Sequence, residues 1–195
     1  MTRLLLATTN PDKLREIRPL LAGLPYELVT LKDVPPVDEP EEDGQTFWEN
    51  ARIKALAYAS ATGLTAIAED SGFAVDAMQG EPGIYSARFM SKATSYPDRF
   101  VEIFRRVGPS DRTARFVTAL VVARGREILF ETEAHVEGEL AREPRGEHGF
   151  GYDPIFWYPP FRCTTAQLPD RDKAVISHRA RAFRDLRRWL AHHAL

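Results

Sequence analysis

Glu69-Asp70 places two carboxylates side by side after a short apolar run, Thr65 to Ala68. Hard divalent cations take carboxylate oxygens, and magnesium keeps several waters while bridging to phosphates. A carboxylate beside such a metal can also orient or deprotonate an attacking water. Adjacent residues of a regular strand point to opposite faces, so both acids reach one site only where the strand stops. Ser71-Gly72 reads as that stop. A pair of solvated turn acids is the alternative explanation.

Two further polar groups sit where a packed domain would rather be apolar. The first is Thr8-Thr9-Asn10-Pro11-Asp12-Lys13, after the initial strand. A helix N-terminus carries unpaired N–H groups and roughly half a positive charge, so it attracts anions. Thr8, Thr9 and Asn10 add side-chain donors, and Lys13 adds a full charge one turn in. The spacing is not that of a Walker A loop, and no glycines build its nest. An ordinary capped helix accounts for the same residues. The second group is Ser177-His178-Arg179, with Lys173 just before it. Arg179 precedes Ala182 and Phe183 by three and four residues, on the buried stripe of the last helix. A guanidinium there needs a partner, either ligand carbonyl or phosphate oxygens or the protein's own acids.

The pattern of the chain supplies the elements that must hold these groups. Leu4 to Ala7 is a continuous apolar run, consistent with a buried strand. Asn10 suits an N-cap and Pro11 the first helical position, predicting a helix to about Ala22. Tyr26 to Leu31 reads as a second strand, and the proline- and acid-rich Asp33 to Gly44 as a loop. A helix from about Thr46 to Thr62 ends at Gly63. Asn50 and Lys54 lie on its core-facing stripe with Phe47, Ala51, Ala55 and Tyr58, so they need partners or a cavity. Pro97 to Val107 reads as a helix, and Ala114 to Ala123 with Glu127 to Gly138 as an antiparallel hairpin around Gly125. The last helix, capped by Ser177, buries Ala182, Phe183, Leu186, Trp189 and Leu190. Its arginines Arg181, Arg184, Arg187 and Arg188 face mostly away, as a solvated surface.

The 195 residues are 44% hydrophobic, enough for a substantial core. A net charge of −2 argues against a general nucleic-acid or membrane-surface binder. The single Cys163 excludes an internal disulfide and a cysteine zinc cluster, and fits a reducing compartment. The leading apolar run is too short for a signal peptide, and no stretch approaches the ~18 apolar residues of a membrane span. The expectation is one mixed α/β domain over residues 1–195, cytoplasmic, with no stable nucleic-acid or membrane partner.

Taken together, the motifs resemble those of the inosine triphosphate pyrophosphatases, which hydrolyse non-canonical purine nucleoside triphosphates. The resemblance runs through Ala7-Thr8-Thr9-Asn10 with Lys13 and Glu16, then Thr46-Phe47 with Glu49-Asn50-Ala51 and Lys54. It continues through Glu69-Asp70-Ser71-Gly72, Pro82 to Arg88, and Phe150 to Pro154, and closes with Lys173 and Ser177-His178-Arg179. It implies an elongated, curved mixed sheet flanked by helices, two lobes around a central cleft, and a homodimer. It also implies roles. Thr8, Thr9, Asn10, Asp12 and Lys13 would hold the triphosphate of a purine nucleotide, with Lys54 and Arg88 as further cations. Asp70 would be the catalytic carboxylate; Glu42 and Asp70 would hold Mg2+, with Glu69 nearby. Ser71 would touch the substrate. Phe150, Gly151, Tyr152, Asp153 and Lys173 would shape the nucleoside pocket, and His178 and Arg179 would read the base.

One departure stands out. The family pattern has glycine where this chain has Thr9, and often where it has Asp12. Glycine permits close approach of backbone to phosphate. Thr9 either holds an ordinary conformation and donates its hydroxyl, or reshapes the phosphate loop, lowering affinity before activity is lost. Two other readings compete. A pyrophosphatase of the Maf type would prefer pyrimidine or modified nucleotides; His178-Arg179 and Phe150 to Asp153 speak against it. A nucleotide- or RNA-binding module built on the arginine-rich last helix would need no carboxylate pair and would bind with strong salt dependence.

Overall fold

The computed structural model describes residues 2–109, 111–193 and 195. Strand β1 (Thr2–Leu6) runs parallel to both its neighbours, β2 (Tyr26–Thr30) and β3 (Thr65–Val75). Parallel strands are covered on both faces and read as continuous apolar runs, which is why Leu4-Leu5-Leu6-Ala7 is buried throughout. Leu4 and Leu6 pack with Ile17 and Leu21 of α1 (Pro11–Leu21) and with Phe183 and Leu186 of α5 (His178–Leu190). Leu5 and Ala7 pack with Ala51, Ala55 and Ala59 of α2 (Phe47–Thr62).

The same alternation governs β3. Ile67 belongs with α1 and α5, whereas Ala66 and Ala68 belong with α2. Two residues on, Glu69 must follow Ile67 and Asp70 must follow Ala68. The expected stop at Ser71-Gly72 does not occur, and β3 runs on to Val75. Gly72 is not among the glycines with left-handed φ. The Phe73 N–H donates to Ser86 Oγ at 2.8 Å, which keeps the chain extended.

The seven strands are ordered β2-β1-β3-β4-β5-β6-β7, and helices flank them in a mixed α/β fold. Here β4 is Thr113–Arg124, β5 Glu127–Leu140, β6 Phe156–Tyr158 and β7 Cys163–Thr164. The two-residue link Gly125-Arg126, with Gly125 at φ 58°, joins β4 and β5 as the predicted hairpin. β6 is antiparallel to β5 and to β7.

The chain forms two compact units: Met1–Asp70 with Thr118–Ala134 and Arg179–Leu195, and Ser71–Val117 with His135–His178. In the first, α2 is closed by a capping box between Thr46 and Glu49 and ends on the left-handed Gly63. In the second, α3 (Tyr96–Val107) lays Phe100, Ile103 and Val107 on an aromatic core of Phe73, Phe116, Tyr152 and Phe156. Helix α4 (Asp170–Ile176) is a seven-residue element that the periodicity does not predict. It starts after Pro169, with Asp170 and Asp172 in the first turn, where negative charge favours a helix. Among the described residues no helix is long and apolar enough to cross a membrane.

Candidate active site

In the first unit, the alternation of β3 sends its adjacent acids to different helices. Glu69 meets α1 and α5: Arg179 Nε donates to Glu69 Oε1 at 2.7 Å, and Arg179 Nη1 donates to Glu16 Oε2 at 2.6 Å. Thr118 Oγ1 donates to Glu69 Oε2 at 2.6 Å, and Lys13 Nζ stands 3.4 Å from Glu69 Oε1. The Glu69 and Arg179 side chains are each 2% exposed. Burial pushes the Glu69 carboxyl up, but the charges of Arg179 and Lys13, with hydrogen bonds from Arg179 and Thr118, hold it well below the usual range. Burial pulls the Lys13 ammonium below its ordinary value, with Glu69 opposing.

Asp70 meets α2. Lys54 Nζ donates at 2.9 Å to both Asp70 Oδ1 and Glu42 Oε2. Asn50 Nδ2 approaches Asp70 Oδ2 at 3.4 Å, while Asn50 Oδ1 accepts the Gly44 N–H at 2.9 Å. The polar residues on the α2 stripe thus find partners, and Asn50 ties the acidic loop to the helix. Burial raises the Asp70 carboxyl above its ordinary value, against the charge and hydrogen bond of Lys54. Burial also pushes Glu42 up, but the charge and hydrogen bond of Lys54, together with a hydrogen bond to Asp70, hold it low.

At the start of α1, Asn10 Oδ1 accepts the N–H groups of Asp12 and Lys13 at 2.9 and 3.2 Å. Thr8 Oγ1 accepts the Asn10 N–H at 3.2 Å, and Asp12 pairs with Arg15 at 2.8 Å. These contacts cap the helix, and Lys13 Nζ reaches Glu69.

In the second unit, Asp153 is buried and organises its surroundings. Its Oδ2 accepts the Phe150 N–H at 2.8 Å and pairs with Lys173, and its Oδ1 accepts from Thr165 Oγ1 at 2.8 Å. Lys173 Nζ lies 5.0 Å from the Phe150 ring centroid. The turn before it requires Gly149, at φ 72°: an added Cβ would run into Asp153 Oδ2 and come within 3.1 Å of Lys173 Nζ. Tyr152 stacks on Phe73 at 5.1 Å and donates its hydroxyl to the Ser86 carbonyl at 2.8 Å. Burial pushes the Tyr152 phenol up. His178 is buried and stacked on Phe116 at 4.9 Å, 11° from parallel. Ser71 is half-buried where β3 enters this unit, and the Arg88 guanidinium lies 5.2 Å from the Tyr85 ring centroid.

Residues 4–189 match the model of the Ham1 family. The chain belongs to the Ham1 family. It is 45% identical over 187 residues to the dITP/XTP pyrophosphatase of Geobacter sulfurreducens, covering 93% of each chain. It is 45% identical over 186 residues to the enzyme of the same name from Thermus thermophilus, covering 94% of this chain and 89% of that one. Among solved structures, the HAM1 protein from Coxiella burnetii superposes with a TM-score of 0.88 at 37% identity, covering 99% of this chain and all of the other. The Ham1 protein of Staphylococcus aureus gives 0.89 at 35% identity, covering 98% and 99%.

For this Ham1-family chain, Glu42 and Asp70 converge on one ammonium, whereas Glu69 turns away to Arg179. Two carboxylates facing one cation suit a hard divalent ion, which takes one or two carboxylates together with phosphate oxygens and waters. Among the described residues no group of three or more His, Cys, Asp or Glu side chains is arranged to hold a metal. Thr9 is exposed and not among the residues with left-handed φ, so it holds an ordinary conformation without glycine's freedom. Two contributors escaped the sequence reading. Thr118 and Thr165 are buried hydroxyls that bind Glu69 and Asp153. The signal for Thr118 was present, a hydroxyl inside the otherwise apolar run Phe116 to Ala123.

Proposed function

We propose that Asp70, with Glu42, Lys54 and Lys13, drives hydrolysis of non-canonical purine nucleoside triphosphates (ITP, dITP and XTP) to the monophosphate and pyrophosphate. The chain is a nucleoside triphosphate pyrophosphohydrolase. The observation that carries the assignment of roles is the electrostatic separation of adjacent acids. Glu69 is paired with Arg179 and Lys13, whereas Asp70 faces Lys54, which it shares with Glu42. A positioned carboxylate within hydrogen-bond reach of a water can accept its proton.

In this reading a water oxygen bonds to the α-phosphorus, and the α–β bridging P–O bond breaks. Pyrophosphate leaves, and Asp70 takes the water's proton. Asn50 and Lys54 orient Asp70, and Lys13 offsets negative charge growing on the phosphate oxygens. Positioning and charge neutralisation dominate phosphoryl transfer. Glu42 and Asp70 would hold Mg2+, and the chemistry such an ion supplies is neutralisation of phosphate charge. Thr8, Thr9, Asn10 and Asp12 line the start of α1, where the polyphosphate is assigned. Ser71 and Arg88 are assigned to substrate contact.

Phe150, Gly151, Tyr152, Asp153 and Lys173 are assigned to the nucleoside, and His178 to the base. Donors aimed at a 6-oxo group reject adenine, whose amino group leaves them unpaired; such rejection can reach ~10⁴–10⁵. The buried pairs of Arg179 with Glu69 and Glu16 favour a positioning role for it over direct base contact. Cytoplasmic location and a homodimer belong to this proposal through the family resemblance, and the lone Cys163 supports the compartment. Hydrolysis of ITP in ¹⁸O-water tests the bond cleaved. The label belongs in inosine monophosphate, and label in pyrophosphate would place attack at the β-phosphorus instead.

A further inference from the structure

Arg99 is a guanidinium on α3 buried to 3% exposure, and its hydrogen-bond partners are main-chain carbonyls instead of a carboxylate. Nη1 donates to Ser86 O at 3.0 Å, and Nη2 donates to Ala87 O at 3.2 Å and to Ser91 O at 3.0 Å. The Tyr96 ring lies 4.8 Å from the guanidinium. Nε has no hydrogen-bond partner among the described residues. A buried charge without a counter-charge is normally disfavoured, so a use for it must be sought among its contacts.

The Ser86 carbonyl provides one, because it also accepts the Tyr152 hydroxyl at 2.8 Å. A carbonyl oxygen has two lone pairs, and here one faces α3 and the other the tyrosine. Ser86 Oγ is fixed as well, accepting the Phe73 N–H at 2.8 Å and donating to Gly83 O at 2.6 Å. Ser86 is therefore a junction between β3, the 83–91 segment, α3 and Tyr152. We propose that Arg99 is a positioning residue that holds the Ser86 carbonyl in place as the acceptor for Tyr152. It thereby fixes the ring assigned to the nucleoside. The planar fork of arginine spans residues 86 to 91 in a way that the single ammonium of lysine does not. The same segment carries Arg88, so its alignment follows from the same contacts. The role in substrate binding rests on the pyrophosphatase reading; the coupling of Arg99 to Tyr152 does not.

The test is a pair of double-mutant cycles, Arg99→Met and Arg99→Lys, each with Tyr152→Phe. They are followed both in kcat and KM for ITP and in urea midpoints. Arg99→Met is expected to raise KM about tenfold with kcat within about threefold. Arg99→Lys is expected to restore the urea midpoint more than it restores KM. In the Tyr152→Phe background most of the effect of Arg99→Met should disappear. Additive effects would overturn the proposal, as would an unchanged KM beside a lowered urea midpoint, which would leave Arg99 as a loop closure. If Arg99→Met does not fold, the lysine cycle decides. If the wild-type chain leaves ITP intact, the substrate reading falls, and the urea-midpoint cycle still decides whether Arg99 and Tyr152 are coupled.

Discussion

Glu69 and Asp70 are chemically similar neighbours whose surroundings pull them apart. Glu69 is held by Arg179, Lys13 and Thr118, and Asp70 shares Lys54 with Glu42. Because the folded state depresses the Glu69 pKa, the stability this group contributes is complete above the ordinary glutamate range, about pH 4.3, and is lost as pH falls through the folded value. Glu69→Gln is therefore expected to flatten the loss of urea stability below about pH 5 while lowering stability at neutrality; an unchanged acid slope would show that the pair is not coupled to folding. Asp70 has the opposite sign. Its raised pKa means that its contribution is present below the ordinary aspartate range and is lost as pH rises through the folded value. Asp70→Asn is expected to reduce turnover by about 10²–10⁴ and, in metal-free buffer, to melt no lower than wild type. Near-normal turnover in that variant would remove Asp70 from the role of base. Arg179 was legible only as a choice between a ligand and the protein's own acids; in the structure it pairs with Glu16 and Glu69. No reading of helix periodicity contains that answer, because Glu16 and Glu69 come from elements distant in sequence.

Much of the scaffold could be read directly because its signals are local. Asn10-Pro11 starts α1, the Thr46/Glu49 capping box starts α2, Gly63 ends it, and Gly125 turns the hairpin. Asn50 and Lys54 on the core-facing stripe of α2 already demanded partners, and Asp70 and Glu42 are among them. Two elements resisted for physical reasons. The extent of β3 depends on non-local support, including the Ser86 hydroxyl that takes the Phe73 N–H, so Ser71-Gly72 resembled a turn without being one. Helix α4 has seven residues, too few to display a periodic stripe. The glycine turn before Phe150 shows how an element places chemistry. Gly149→Ala combines a left-handed φ with a collision against Asp153, so it should destabilise by about 1–3 kcal/mol and raise KM for ITP more than it lowers kcat. A KM equal to that of wild type would separate the Asp153–Lys173 pair from substrate binding.

Across the whole chain, the seven-stranded mixed sheet and its flanking helices match the Ham1 proteins over nearly the full length. Near-neutral charge is compatible with a few locally placed cations and no global basic excess. Lys13 and Lys54 stand beside the acids of the first unit, and Lys173 beside Asp153 in the second. Their burial is what makes placement count, since a charge in a desolvated site acts more strongly than one in water. The most direct measurement is pyrophosphate release, scored separately from orthophosphate, with Mg2+ and a panel of ITP, dITP, XTP, GTP and ATP. The account predicts rapid pyrophosphate release from ITP, dITP and XTP and little from ATP. Equal rates on ATP, or orthophosphate as the main product, would contradict it.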